Sequence, residues 1–314
     1  MGKTAFLFPG QGSQSVGMGK QLADEHEVVR RYFEKADERL AFPLSDIIFN
    51  GPAETLKRTE NTQPALLTTS IAVLSLLQEH GIEADYAAGH SLGEYSALVA
   101  AGAIAFDDAV YAVRKRGLFM EEAVPAGEGT MAAVLGMEKE ELSLVTKEVT
   151  EGGHLVQLAN LNCPGQIVIS GMARGVEKAV KLAKEKGARR VIPLEVSGPF
   201  HSDLMKPAAD QLRSVLDDIT ISDANLPVIA NVTAKEVVKA AEIRDKLIEQ
   251  LYSPVLWEDT VRRLLDLGVD TFIEIGAGNV LSGLVKKVER RAKTFVVTDK
   301  DSLNKTVHQL KEGT

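Results

Sequence analysis

Three short apolar segments of the chain each end in a glycine-containing loop, and a helical pattern follows each loop. They are residues 4–8 before PGQG, residues 86–88 before GHSLGE, and residues 271–275 before GAGN. Alternation of this kind predicts a mostly parallel sheet with helices on both faces. Because loops that follow parallel strands meet at one edge of the sheet, we expect the three glycine loops to border one crevice.

A different pattern interrupts this alternation in the middle of the chain. Between two glycine- and proline-bearing segments, residues 125–129 and 197–199, the predicted order is β-α-β-β-α-β. That order is typical of a ferredoxin-like, split-βαβ unit. We therefore predict a small ferredoxin-like domain, residues 128–195, inserted into an α/β-hydrolase-like large domain formed by residues 1–127 and 196–314.

Hydrophobic periodicity predicts the remaining elements, including a buried helix for which Thr62 is a candidate cap. The predicted helices cover residues 21–39, 61–79, 106–124, 139–150, 175–186, 240–252, 258–267 and 280–291, and another helix ends at residue 101. The predicted strands outside the three glycine junctions cover residues 130–135, 155–161, 166–170, 190–195, 227–232 and 294–298.

Composition excludes several classes of protein. The 314 residues are 45% hydrophobic and 25% charged, as in globular proteins. A formal net charge of -8 argues against general binding to nucleic acid. One cysteine, Cys163, allows no internal disulfide and no Cys-x-x-Cys zinc pair, so we expect no metal and a reducing compartment. No apolar run approaches the ~18 residues of a membrane span, and we expect a cytoplasmic protein.

The GHSLGE loop places Ser91 between Gly89 and Gly93. Gly-x-Ser-x-Gly at a strand-to-helix turn is the spacing of a nucleophile elbow, in which the serine backbone is strained and flanking side chains would collide. The helix N-terminus that follows favours an oxyanion. The same residue types also occur in ordinary tight turns, so the motif alone leaves both interpretations open.

A nucleophilic serine needs a base, and His201 is the strongest candidate among the six histidines. It lies in SGPFHS, where the chain leaves the predicted small domain. Of the other histidines, His90 is expected to point away from the serine, and the rest lie in polar segments or after a glycine pair. A histidine on such a loop is also often exposed or structural, so this assignment needs further support.

The first glycine loop, PGQGSQ, is a poor dinucleotide fingerprint, because residue 15 is a serine where the third glycine is required. Its N–H groups would instead supply one half of an oxyanion hole, with the N–H of Leu92 as the other half. One such donor is typically worth ~3 kcal/mol in the transition state.

Basic residues stand out in two places. Arg116, in AVRKRGLFM, either lies on a solvated helix face or is a guanidinium that binds a substrate carboxylate. Lys286, Lys287 and Arg290 belong to a basic cluster on an acidic chain, which is either a solvated face or a dock for an acidic partner.

From end to end, the chain resembles the malonyl-CoA:acyl carrier protein transacylases of bacterial fatty-acid synthesis. The similar segments, in order, are FPGQGSQ (8–14), TQPAL (62–66), GHSLGEYSAL (89–98), RG with FM and EAVP (116–125), NCPGQIVISG (162–171), SGPFHS (197–202), NVTA (231–234), QLYSPVLW (250–257) and EIGAGNVL (274–281).

The resemblance implies a catalytic role for five of these residues. Ser91 is the expected nucleophile and His201 the general base. The main-chain N–H groups of Gln11 and Leu92 are the expected oxyanion donors. The main-chain carbonyl of Gln250 is expected to orient the histidine in place of an aspartate.

It also implies a substrate pocket. Arg116 is expected to bind the free carboxylate of the malonyl group, and Asn162 and Asn231 match polar positions near the site. Phe200 before the histidine and Leu92 after the serine match a malonyl-selective pattern. A phenylalanine there crowds an acyl group that is branched at the α-carbon, and one methyl group is worth ~1–3 kcal/mol of discrimination between substrates.

The implied reaction is a ping-pong transfer from malonyl-CoA to the phosphopantetheine thiol of an acyl carrier protein, with no cofactor. The resemblance makes the cluster of Lys286, Lys287 and Arg290 the expected carrier dock, and we expect a monomer. Three alternatives remain: a serine thioesterase or other hydrolase, a non-catalytic scaffold, and a polyketide-pathway acyltransferase with the same chemistry.

Overall fold

The computed structural model describes residues 2–312, in which ten strands form two sheets. The strands are β1 (Lys3–Phe8), β2 (Tyr86–Gly89), β3 (Gly129–Leu135), β4 (Val156–Cys163), β5 (Gln166–Met172), β6 (Arg190–Pro193), β7 (Val228–Ile229), β8 (Glu236–Val237), β9 (Val269–Ile275) and β10 (Lys293–Val297). The α-helices are α1 (Lys20–Glu25), α2 (Glu27–Leu40), α3 (Leu44–Asn50), α4 (Ala53–Lys57), α5 (Thr59–Glu79), α6 (Gly93–Ala100), α7 (Phe106–Glu122), α8 (Lys139–Glu151), α9 (Ala173–Glu185), α10 (Lys206–Asp218), α11 (Ala240–Gln250), α12 (Trp257–Asp266), α13 (Val280–Val288) and α14 (Lys300–Glu312).

The larger sheet has the order β10-β9-β1-β2-β7-β8, and only the β7–β8 pair is antiparallel. This confirms the predicted α/β class with a mostly parallel sheet. Phe8 pairs with Gly89 at the carboxyl ends of β1 and β2, and β9 lies on the other side of β1. The three glycine loops therefore leave adjacent strands at the same edge of the sheet.

The smaller sheet is antiparallel, with the order β4-β5-β3-β6. Each βαβ unit is split by a strand of the other unit, since β5 lies between β3 and β4 while β3 lies between β5 and β6. Helices α8 and α9 contact each other and this sheet. The chain thus has the predicted β-α-β-β-α-β order between residues 129 and 193.

Helix α5 is buried along almost its whole length, from Thr59 to Leu77. A helix with no polar face is expected at the centre of a core, and α5 packs against α2, α6 and α7. This packing brings the buried polar residues at the start of α5, among them Asn61 and Gln63, beside α7, which carries Arg116. No helix within residues 2–312 combines the length and apolarity that a membrane crossing requires.

Several predicted boundaries were wrong for local reasons. The single helix predicted at residues 21–39 is divided into α1 and α2, because His26 has an extended backbone with φ of -125°. Thr62 is not a cap: α5 begins after Arg58, and the Thr62 hydroxyl donates to the carbonyl of Leu56 instead. The helix predicted to reach residue 291 ends at Val288, where the backbone becomes extended.

The structure also contains elements that were not predicted, in both halves of the chain. Helices α10 and α14 are amphipathic and were missed, as were the short helices α3 and α4 and the short strand β8. The strand predicted at residues 227–232 is reduced to β7, and the chain turns directly after it.

Candidate active site

Ser91 lies between the end of β2 and the start of α6, with a backbone φ of 51°. This left-handed conformation is strained for a residue other than glycine. A Cβ atom at Gly89 would lie 1.9 Å from the carbonyl oxygen of Gly93, and one at Gly93 would lie 2.0 Å from the carbonyl oxygen of Phe8. Glycine is therefore required on both sides of the serine, as expected for a nucleophile elbow.

His201 lies within hydrogen-bond distance of this serine. Its Nε2 is 2.8 Å from Ser91 Oγ, and its Nδ1 is 2.8 Å from the main-chain carbonyl oxygen of Gln250. Because a carbonyl only accepts, Nδ1 carries the proton and Nε2 is free to accept the serine proton. The His201 backbone also has a positive φ, 58°, and its N–H donates to the carbonyl of Leu251 at 3.1 Å.

The environment of His201 keeps its imidazole neutral. Burial, with the positive charge of Arg116 as the second cause, lowers the pKa of His201 to about 3. A neutral imidazole is the form that can act as a base, so His201 is in its reactive protonation state throughout the neutral range.

Arg116 is 1% exposed, and its side chain extends from α7 to Ser91 and Gln250. One Nη donates to Gln63 Oε1 at 2.7 Å, and the other donates to Ser91 Oγ at 3.0 Å and to Gln250 Oε1 at 2.9 Å. Burial lowers the pKa of the Arg116 guanidinium. This geometry does not fit the alternative of a solvated helix face, and it places a cation beside the serine hydroxyl.

Asn231 and Gln250 hold the backbone of the elbow from below. Asn231 Oδ1 accepts the Ser91 N–H at 2.7 Å, and Asn231 Nδ2 donates to the carbonyl of Gly89 at 2.7 Å. Gln250 Nε2 donates to the carbonyl of Ser91 at 3.0 Å. The strained conformation of Ser91 is thus fixed by side chains from a distant part of the chain.

Two buried polar residues at this site were missed in the sequence. Glu94 Oε2 accepts hydrogen bonds from Gln250 Nε2 at 2.7 Å and from the Asn231 N–H at 3.1 Å. Gln63 is a partner of Arg116. Glu94 had a usable signal, since it lies in the first turn after Ser91 in the GHSLGE motif. Gln63 had a weaker one, because it lies in the TQPAL segment but follows other polar residues at the start of α5.

The first glycine loop passes directly over the elbow. A Cβ atom at Gly10 would lie 2.4 Å from the carbonyl oxygen of His90, so only glycine permits this approach. Gln11 and Leu92 both line the cavity above Ser91. Among the described residues, neither the N–H of Gln11 nor that of Leu92 has a hydrogen-bond acceptor, as is required of oxyanion donors.

Ser91 and His201 open onto a cavity of about 400 Å³, within the usual range for small-molecule sites. Its walls come from both sheets and the segments around them: Gln11, Gly12, Gln14, Lys57, His90, Ser91, Leu92, Arg116, Met120, Met131, Asn160, Leu194, Glu195, Val196, Phe200 and His201. Phe200 lines the cavity as expected. Asn162 and Asn231 do not: Asn162 Oδ1 bonds His90 Nε2 at 2.9 Å, and Asn231 is fully buried beneath the elbow.

The third glycine loop does not border this cavity, contrary to the prediction of one shared crevice. Residues 276–279 line a separate cavity of about 590 Å³ together with residues of the segment after β1 and the end of β10. The segment after β1 divides the two cavities, because Gln11, Gly12 and Gln14 face the first and residues 15–19 face the second.

The basic residues near the end of α13 are partly engaged within the protein. Lys286 Nζ donates to the carbonyl of Ala292 at 2.6 Å, and Lys287 Nζ donates to Gln166 Oε1 at 2.9 Å. Arg290 is exposed. Gln166 belongs to the β4–β5 hairpin, whose first strand also supplies Asn160 to the cavity wall. Within residues 2–312, no group of three or more His, Cys, Asp or Glu side chains is arranged to hold a metal ion.

A serine at an elbow of this kind, within hydrogen-bond distance of a histidine and beside a buried arginine, fits an acyl-transferring site. Residues 5–304 match the family model described as the acyl transferase domain, and the chain belongs to that family. Within the family, the chain is 64% identical over 312 residues to the malonyl CoA-acyl carrier protein transacylase of Bacillus subtilis (strain 168), covering 99% of this chain and 98% of that protein.

Solved structures agree with this membership. The malonyl CoA-acyl carrier protein transacylase from Coxiella burnetii is 40% identical, with a TM-score of 0.96 over 98% of each chain. A malonyl-transacylase in complex with its type II PKS acyl-carrier protein is 43% identical, with a TM-score of 0.95 over 98% of this chain and 99% of that one.

Proposed function

We propose that this protein transfers a malonyl group from malonyl-CoA to the phosphopantetheine thiol of an acyl carrier protein, through a malonyl ester on Ser91. The observation that carries the proposal is the Arg116 guanidinium 3.0 Å from Ser91 Oγ, in a buried position. A fixed cation next to the nucleophile suits an acyl group that ends in a carboxylate. The relatives named above carry this activity in their names and cover nearly the whole chain.

In the first half-reaction, Ser91 Oγ attacks the thioester carbonyl of malonyl-CoA while its proton passes to His201 Nε2. The oxyanion that forms accepts hydrogen bonds from the N–H groups of Gln11 and Leu92. The carbon–sulfur bond then breaks, and coenzyme A leaves as a thiol with the proton from His201. The malonyl ester remains on Ser91, with its carboxylate on Arg116.

In the second half-reaction, His201 removes the proton of the carrier phosphopantetheine thiol, and the sulfur attacks the ester carbonyl. The ester C–O bond breaks, and His201 returns the proton to Ser91 Oγ. The main-chain carbonyl of Gln250 keeps the Nδ1 proton in place through both halves, which is the role that an aspartate has in other serine enzymes.

Selectivity follows from the cost of leaving a buried guanidinium without its partner. An acetyl group brings no carboxylate, so its transition state lacks the charge-assisted pair that a malonyl group makes. Phe200 lines the cavity and is proposed to crowd acyl groups that are branched at the α-carbon.

We also infer that the two sheets mark two domains: an α/β-hydrolase-like domain from residues 1–127 and 196–314, and a ferredoxin-like domain from residues 128–195. The nucleophile elbow on a mostly parallel sheet and the split-βαβ order support the two names. Cytoplasmic location and a monomeric state stay predictions.

A serine hydrolase is the first alternative, because it shares Ser91, His201 and the oxyanion loops. It has no use for a buried arginine beside the serine. A non-catalytic scaffold is the second. A polyketide-pathway enzyme with the same chemistry is the third, supported by the likeness to a malonyl-transacylase solved with its type II PKS acyl-carrier protein.

Intact-protein mass spectrometry after mixing with malonyl-CoA separates these functions. We expect an added malonyl mass that is absent in Ser91→Ala and that disappears when a holo acyl carrier protein is added. Loss of the adduct to water at the same rate without a carrier would indicate a hydrolase. If the wild-type protein forms no adduct, the non-catalytic scaffold is the interpretation that remains. Discharge to fatty-acid and polyketide carriers, compared side by side, decides between the pathways.

A further inference from the structure

Glu94 is a buried carboxyl group that the proposed reaction does not use. It is 2% exposed and lies in the first turn of α6. Burial raises the pKa of Glu94 to about 7, while hydrogen bonds from Gln250 and Asn231 and the charge of Arg116 oppose the shift. A carboxyl group in such a place is costly unless its partners are well arranged, and its partners here hold the catalytic groups.

The side-chain amide of Gln250 lies between Glu94 and Arg116 and has a defined direction. Its Oε1 accepts from Arg116 at 2.9 Å. Its Nε2 donates to Glu94 at 2.7 Å, to the carbonyl of Ser91 at 3.0 Å and, over a longer distance, to Asn231 Oδ1 at 3.4 Å. A guanidinium only donates and a carboxylate only accepts, so one of the two amide orientations satisfies both neighbours. Glu94 provides the shortest of the three acceptor contacts that enforce this orientation.

This arrangement also leaves Arg116 without a direct carboxylate partner. Among the ion pairs of the described residues, none joins Arg116 to a carboxylate within 4.0 Å. The Glu94 carboxyl group is held one amide away, and Arg116 Nε has no hydrogen-bond partner in the described part of the chain. A direct Glu94–Arg116 pair would occupy the donors that a substrate carboxylate needs.

We propose that Glu94 is a positioning residue of this active site, which orients the Gln250 amide so that Arg116 is aimed beside Ser91 and kept open to an anionic acyl group. This inference rests on the proposed function, since it assigns Glu94 to selectivity for the carboxylate. Glu94 acts through Gln250 and Asn231 and does not touch the substrate.

The test compares two uncharged variants of similar length, Glu94→Met and Glu94→Gln. Only the glutamine keeps an acceptor oxygen for Gln250 Nε2 and the Asn231 N–H. Single-turnover acylation is measured with malonyl-CoA and with acetyl-CoA. We expect Glu94→Met to lower the malonyl rate at least tenfold more than the acetyl rate, and Glu94→Gln to restore the malonyl-to-acetyl ratio to within threefold of the wild type. Equal losses with both substrates, or the same ratio in both variants, would overturn the proposal.

Gln250→Met keeps the test decisive if Glu94→Met does not fold, as checked by circular dichroism. This change removes the amide and leaves the main-chain carbonyl for His201. We expect it to lower the malonyl-to-acetyl ratio as Glu94→Met does, and we expect Glu94→Gln added to it to change the ratio no further. An unchanged ratio in Gln250→Met would refute the role of Glu94. The wild-type malonyl adduct, measured in the same series, tests the proposed function separately.

Discussion

Two strand–glycine–helix junctions of this protein look alike in sequence and differ in what occupies them. At the β2–α6 junction, the N–H groups beside Ser91 face a cavity. At the β9–α13 junction, the Glu274 carboxylate accepts the N–H of Leu281 at 3.0 Å and the N–H of Ser282 at 2.7 Å. The second helix N-terminus is therefore filled by the chain itself, and burial raises the pKa of Glu274.

The difference shows that glycine spacing alone does not make a reaction centre. Both junctions place a helix N-terminus at the same edge of one sheet, where an anion is favoured. Only the β2–α6 junction is reached by a histidine, an arginine and two amides from distant segments. The reactive junction is defined by the side chains brought to it, and the other by its own carboxylate.

The largest expected effect comes from adding one methyl group to each junction helix. Gly93→Ala places a Cβ atom 2.0 Å from the carbonyl oxygen of Phe8, whereas Gly283→Ala on α13 meets nothing within 4 Å. We expect Gly93→Ala to abolish acylation and to lower the free energy of unfolding by about 3 kcal/mol. Gly283→Ala should raise it by about 0.5–1 kcal/mol through helix propensity. Urea unfolding and adduct formation measure both, and an active Gly93→Ala would disprove the steric account.

The two buried carboxyl groups give the next effect. The pKa of Glu94 is raised to about 7 in the folded protein. The folded state then binds the proton more tightly than the unfolded state, so stability is lost as pH rises from the unfolded pKa through 7. A shift of this size corresponds to about 3 kcal/mol between pH 4 and pH 8.

We therefore expect Glu94→Gln to flatten the decline in unfolding free energy over this pH range. Glu274→Gln should flatten it less, because the pKa of Glu274 is raised with two main-chain N–H groups opposing the shift. Urea titrations at several pH values provide the measurement. The same decline in wild type and Glu94→Gln would contradict the assignment.

The base at the β2–α6 junction has a pH signature of its own. A histidine with the ordinary pKa of 6.5 would lose about thirtyfold in rate between pH 8 and pH 5. Since the pKa of His201 is lowered to about 3, we expect no such loss in single-turnover acylation by acetyl-CoA, measured in the Glu94→Gln background to remove that carboxyl from the profile. Adding Arg116→Met removes the positive charge that helps to lower the pKa of His201. The fall in rate at acid pH should then begin at a higher pH. A midpoint near 6.5 without that change would be inconsistent with the structure.

The smallest effect concerns the end of α13. If the cluster of Lys286, Lys287 and Arg290 docks the carrier, Arg290→Glu should raise the KM for the carrier protein about fivefold, through loss of charge complementarity. Acylation by malonyl-CoA should not change. Lys181→Glu makes the same charge change at an exposed position of α9 and serves as the control. Equal KM values for the two variants would contradict a docking role for this cluster.

Local patterns in the sequence predicted most of the architecture. The β-α-β-β-α-β order and the buried character of α5 followed from periodicity, and the steric need for Gly89 and Gly93 followed from the motif. Helix α10 was missed although its buried apolar residues recur at helical spacing. The break between α1 and α2 at His26 was missed because no glycine or proline marks it in the sequence.

The site was predictable where a residue acts through its own chemistry. The Ser91–His201 pair and the Arg116 contact connect residues that are 110 and 25 positions apart, and only the family resemblance joined them in advance. Glu94 and the side chain of Gln250 act through other residues, and no local pattern states which partner a buried amide will choose. Asn231, expected in the substrate pocket, lies under the elbow instead, and no local pattern in the sequence indicates that position.

The order of the chain has a consequence for biosynthesis. Ser91 and Arg116 precede the segment that forms the smaller sheet, whereas His201 and Gln250 follow it. A growing polypeptide therefore carries its nucleophile long before the groups that activate it have been made. We therefore expect that ribosome-bound chains that end before Gln250 do not acylate Ser91 with malonyl-CoA. A protein cleaved within the inserted segment is expected to keep the reaction only while its two pieces stay together.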